Sequence, residues 1–129
     1  MISKELLSEV LNCEVLDIDN EIPDFIPLVS YMAKHRIPTM EKTFDADINI
    51  YELAHKCKEW AFQRWYDIYS CVDSDEAYAF LHNFKTSDVL QDRPNIMPFD
   101  QEIVADTEPE AIFKACEWIM EQGKQDGKM

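Results

Sequence analysis

The chain has 129 residues, 47% of them hydrophobic, and a formal net charge of −14 from 12 Lys plus Arg against 26 Asp plus Glu. That length fits one domain with a real core. The charge argues against a binder of nucleic-acid backbones or of anionic membrane surfaces, since both need an excess of Lys and Arg. No apolar run approaches the ~20 residues of a membrane span. Glu5 and Glu9 interrupt the N-terminal stretch where a signal peptide would be purely apolar. The chain reads as a soluble cytoplasmic protein.

Residues 2–12 predict a short amphipathic helix with Ser3 as N-cap, Ile2 and Leu7 as a hydrophobic staple, and Leu6, Leu7, Val10 and Leu11 on one face. Glu14-Val15-Leu16-Asp17-Ile18 reads as a short strand ended by Asp19-Asn20. Residues 21–47 are hard to read, because Pro23, Pro27 and Pro38 break both periodicities; a short strand or helix around 25–33 is the expectation there. A second helix starts at Asn49, with Glu52 completing a capping box and Ile48 and Leu53 placed as the staple. Its stripe is Ile50, Leu53, Ala54, Cys57, Trp60 and Ala61, and Glu52–Lys56 is an i,i+4 pair on the other side.

After Arg64 the pattern becomes aromatic and β-branched. Residues 65–72 and 77–84 predict an antiparallel hairpin across the polar link Asp73-Ser74-Asp75-Glu76. Alternation puts Tyr78, Phe80, His82 and Phe84 on one face, and Ala77, Ala79, Leu81 and Asn83 on the other, a small-residue face suited to close helix packing. A further strand is expected near 87–91, and a last one over 101–105. Thr107 and Glu110 then form a capping box for a final helix, with Pro109 in its first turn, Ile112, Ala115, Cys116 and Ile119 as the buried stripe, and Gly123 as the stop before a frayed 124–129. The whole predicts a single-domain α+β fold: a small antiparallel sheet layered with about three amphipathic helices.

The N-terminal helix, the second helix (Asn49-Ile50-Tyr51-Glu52-Leu53-Ala54-His55-Lys56-Cys57-Lys58-Glu59-Trp60) with its hairpin, and the segment 105–116 with its Thr107-Glu108-Pro109-Glu110-Ala111-Ile112 opening resemble the small bacteriophage and prophage proteins grouped as the phage αβα-sandwich domain. The resemblance covers about half the chain on structural signatures alone. It implies that fold and a mobile-element setting, and it implies no catalytic residue.

Chemistry-bearing motifs are sparse. Cys13, Cys57, Cys71 and Cys116 show no C-x-x-C spacing, and Cys57 and Cys116 fall on helical stripes as buried thiols. His35, His55 and His82 are scattered. The only glycines are Gly123 and Gly127, so no Gly-rich phosphate cradle exists. The acidic link 73–76 lacks the glycine and distal glutamate of a calcium loop. No cofactor and no metal site is predicted.

The charge itself is uneven. Residues 1–30 carry −6 and residues 71–110 carry −8, while 31–70 and 111–129 are neutral. Glu108 and Glu110 serve a helix N-terminus. The remaining candidates for an acidic contact face are Asp73, Asp75, Glu76, Asp100, Glu102 and Asp106. Three functions fit: a non-enzymatic module binding a host or phage protein, a DNA-mimicking inhibitor of a basic nucleic-acid-binding protein, or a small enzyme with a site assembled from distant residues. Pairing of a strand edge or helix between two copies is a further expectation.

Overall fold

Ser3 opens the first helix through its own side chain: Oγ accepts from the Leu6 N–H at 3.1 Å. In the computed structural model, which describes residues 2–19, 23, 25–36, 42–84 and 101–126, this helix, α1, is Lys4–Leu11. Asn12 closes it in the left-handed region, at φ 53°, which Asn tolerates better than most residues. Ile2, Leu6 and Leu7 are buried, as the staple and the apolar face require.

Three strands follow as an antiparallel meander: β1 (Glu14–Ile18), β2 (Leu28–Lys34) and β3 (Thr43–Asn49), in that spatial order. The expectation for 25–33 thus resolves as a strand. Val29 faces Ile48, and Ala33 faces both Val15 and Phe44, which sets one side of this sheet toward the core. The same register turns Glu14, Asp17, Ser30, Met32, Asp45 and Asp47 outward. β3 has no counterpart among the predicted elements.

β3 runs straight into α2 (Ile50–Phe62). Asn49 Oδ1 accepts from the N–H groups of Tyr51 and Glu52, at 2.9 and 3.3 Å. Leu53, Ala54, Cys57, Trp60 and Ala61 are buried along the predicted stripe. Trp65, at φ 72°, turns the chain into β4 (Tyr66–Asp73), which pairs with β5 (Glu76–Asn83); β5 pairs in turn with β6 (Gln101–Ala105). The strand expected near 87–91 lies outside the described residues. The fold class is therefore α+β as predicted, but its six described strands divide into two three-stranded antiparallel sheets instead of one.

The last helix, α3, is Glu108–Asp126. Its start is as read: the Glu110 N–H donates to Thr107 Oγ1 at 3.3 Å. Its end is a correction, because α3 passes through Gly123. A glycine stops a helix only where the chain leaves through positive φ. Gly123 is helical here, and Lys124-Gln125-Asp126 contains no residue that forbids the continuation.

α2 and α3 pack on each other, and α3 lies across all three strands of the second sheet. Close approach is possible because Ala77 and Ala79 on the central strand, and Ala111 and Ala115 on the helix, are small and fully buried. The Ser3 N–H donates to Glu117 Oε1 at 2.9 Å, which ties the start of the chain to α3. One buried cluster draws residues from all three helices and both sheets, so the two sheets share a core.

Candidate functional site

The pairing register decides which residues share the outer face of the second sheet. Asp73 is opposite Glu76; Cys71, Tyr78 and Val104 form the next row; Tyr69, Phe80 and Glu102 form the third; Asp67 and His82 form the fourth. Residues directly opposite one another point to the same side. Neighbours along each strand alternate, so Ala77, Ala79, Ile68, Leu81, Ile103 and Ala105 point the other way, toward the helices, while Val72 on that side stays exposed near the hairpin end.

Three of the predicted acids, Asp73, Glu76 and Glu102, therefore stand on one face. All are exposed, as are Asp75 in the hairpin turn and Asp106 just past the end of β6. Asp106 is one residue beyond the last paired position, Ala105 opposite Ala77, and so lies at the Glu76 end of the sheet. Asp100 lies outside the described residues. Glu108 is turned elsewhere: its Oε1 accepts from Ser70 Oγ at 3.1 Å, and Ser70 pairs with Ala79 on the helix side.

Between the acids the face is aromatic and apolar. Tyr69 is 46% exposed and Val104 45%. The rings of Tyr78 and Phe80 lie nearly parallel, at 9°, with centroids 6.2 Å apart. The Tyr78 hydroxyl donates to Glu76 Oε2 at 2.9 Å. That bond, the Glu76 charge, and the more distant charges of Asp73 and Glu102 raise the Tyr78 phenol above its ordinary pKa. Three of the predicted acids thus act on one phenol.

The alternation of β5 made Tyr78 and Phe80 partners on a face in the sequence. Their role beside the acids was not read, because the register of β6 is needed to bring in Glu102 and Val104. The first sheet supplies a second acidic surface that sequence reading missed. Its outward residues Asp17, Asp45 and Asp47 come from three places in the chain, and Asp47 accepts from Ser30 Oγ. The signal was present in Thr43-Phe44-Asp45-Ala46-Asp47-Ile48, a strict alternation.

Two of the scattered cysteines are brought together. The Cys116 thiol on α3 donates to the Cys57 carbonyl on α2 at 3.5 Å; the Cys57 side chain as a hydrogen-bond partner, and then burial, push the Cys116 thiol pKa up. That arrangement stabilises a neutral thiol and disfavours a nucleophile. His55 pairs with Glu59 at 2.9 Å on the exposed side of α2, and His35 stacks on Phe44. Among the described residues no group of three or more His, Cys, Asp or Glu side chains could hold a metal ion. A cleft of about 530 Å³ lies between the end of α2 and the last turns of α3, and its lining includes none of His55, His82 or Cys71. No described helix is long and apolar enough to cross a membrane.

No family model, curated protein or solved structure matches this chain.

Proposed function

We propose that this chain is a non-enzymatic protein-interaction module that holds a basic segment of a partner protein on the outer face of the second sheet. The observation that carries this reading is the register, which sets Asp73, Glu76 and Glu102 around the Tyr78–Phe80 pair on one exposed face. Acids of this kind steer and orient a Lys- or Arg-bearing partner. The rings accept the aliphatic stems and the cations themselves, each such contact adding roughly 0.5–1 kcal/mol at an exposed site. In the mobile-element setting that the resemblance implies, the partner is a host or phage protein.

The spacing favours this reading over mimicry of DNA. Phosphates recur about every 3.4 Å of helix axis on each strand of a duplex. Glu76 lies four residues along β5 from Phe80, the residue opposite Glu102, which is about 14 Å at the rise of an antiparallel strand. Aromatic rings fill the interval. A peptide with a few spaced cations matches this pattern better than a surface built for a continuous phosphate row.

The test is a titration of the full chain with a Lys- and Arg-rich peptide, followed by backbone amide shifts. Shifts concentrated on Cys71, Tyr78, Phe80, Glu102 and Val104 are expected. Shifts spread evenly over both acidic surfaces would mean charge attraction without a site, and would count against the proposal.

A further inference from the structure

The cleft beyond α2 is built from different parts of the chain. Trp60, Arg64, Trp65 and Tyr66 line it from the α2–β4 corner, Ile119 and Met120 from α3, and Glu9 from α1. Its volume, about 530 Å³, suits a small ligand. Half of the ten lining residues are aromatic or apolar, Asn83 and Gln122 are neutral and polar, and the cationic one is Arg64.

Arg64 is held in place. Its guanidinium carbon is 4.1 Å from the Trp60 ring centre, and one terminal nitrogen donates to the Trp60 carbonyl at 3.2 Å. The other terminal nitrogen reaches Glu9 Oε2 at 3.4 Å, a long contact with both side chains substantially exposed. A guanidinium has five N–H donors in a planar fork, so a better acceptor has donors left to take. Trp65 adds an independent sign. It keeps a bulky side chain at φ 72°, where such residues are genuine outliers, and its ring is 50% exposed. Strain of this kind persists where the surrounding structure holds it, and it concentrates at ligand sites.

We infer that this cleft binds a small planar aromatic carboxylate. The ring of the ligand lies against Trp65 and Tyr66, and its carboxylate takes the Arg64 fork in place of the long Glu9 contact. Arginine fits because its planar fork matches a carboxylate, which a lysine ammonium does not. Glu9 opposes the ligand, both as a competing acceptor and as a like charge.

The probe is 2-naphthoate titrated into the full chain, with the side-chain N–H signals of Trp60, Trp65 and Arg64 followed by NMR. All three are expected to shift together. The neutral isostere 2-naphthamide is expected to bind about tenfold more weakly, as is 2-naphthoate to Arg64→Lys. Glu9→Gln is expected to tighten binding severalfold. Trp65→Gly removes the ring while suiting the positive φ, so it is expected to stay folded and lose binding. No cleft shifts at millimolar naphthoate would overturn the inference. So would equal binding of 2-naphthamide, or weaker binding to Glu9→Gln.

Discussion

The Tyr78 hydroxyl donates to Glu76 Oε2 across 2.9 Å of exposed sheet surface, two residues along the same strand. An alternating strand allows this because residues i and i+2 share a face. The bond fixes an acid beside an aromatic ring at the centre of the face to which we assign partner binding. The phenol is therefore a reporter of that face. Its phenolate absorbance is expected to appear at higher pH than for free tyrosine. Glu76→Gln is expected to bring that titration down, because it removes both the charged acceptor and the nearest negative charge. A Tyr78 titration that ignores Glu76→Gln would contradict the geometry.

Thiol chemistry separates the four cysteines by burial. Cys71 is exposed, while Cys13, Cys57 and Cys116 are buried. A disulfide reagent should modify one thiol rapidly in the native protein and all four after denaturation. Fast modification of Cys57 or Cys116 in the native protein would mean that the α2–α3 interface is not as packed as it is here.

The same burial sets an alkaline limit to stability. The Cys116 thiol pKa lies above its ordinary value of 9.0, through hydrogen bonding to Cys57 and then burial. The folded state therefore keeps a proton that the unfolded chain gives up near pH 9. Its contribution is complete below that pH and is lost as the pH rises from there toward the folded pKa. Within this window one such group lowers stability by about 1.4 kcal/mol per pH unit. Cys13 and Tyr31 are shifted the same way, first by burial, and steepen the fall. Urea midpoints measured from neutral to alkaline pH check this, and Cys116→Ala should flatten the decline.

Two local substitutions test the backbone reading. Asn49→Ala leaves the first N–H groups of α2 without their acceptor and should cost about 1 kcal/mol. Ser74 sits at φ 56° in the two-residue turn between Asp73 and Glu76. Ser74→Gly should stabilise the hairpin by roughly 0.5–1 kcal/mol, since glycine pays no steric penalty there. Both are read from denaturant midpoints.

Elements with a chemical start signal were legible in the sequence. Ser3, Asn49 and Thr107 each cap the helix they were read to cap; β6 falls on 101–105 as expected, and the hairpin falls within one residue of its expected strands, with Asp73 and Glu76 of the polar link paired and only Ser74 and Asp75 turning. β2 was legible only as a short strand or helix, because Pro23, Pro27 and Pro38 interrupt the stretch around it. β3 was obscured in spite of the alternation over 43–48, because its outward Asp45 and Asp47 are residues depleted in strands. Their placement rests on the pairing of β3 with β2, a tertiary effect. The candidate face was half legible: charge counting found Asp73, Glu76 and Glu102, and only the register could join them to Tyr69, Val104 and the Tyr78–Phe80 stack. The Arg64–Glu9 contact joins α1 to the end of α2 across 55 positions, and no local pattern announces it.

The most direct measurement compares two double charge reversals that change the net charge by the same amount. Asp73→Lys with Glu76→Lys alters the outer face of the second sheet, and Asp45→Lys with Asp47→Lys alters that of the first. All four side chains are exposed and each variant loses one surface hydrogen bond, so both should fold with stability changes of about 1 kcal/mol or less. Binding of the Lys- and Arg-rich peptide is then measured as a function of salt. The first variant is expected to lose binding at least tenfold, along with most of the salt dependence, while the second stays within about twofold of the parent chain. Equal losses in the two variants would contradict a localised contact face and reduce the charge to a property of the whole surface.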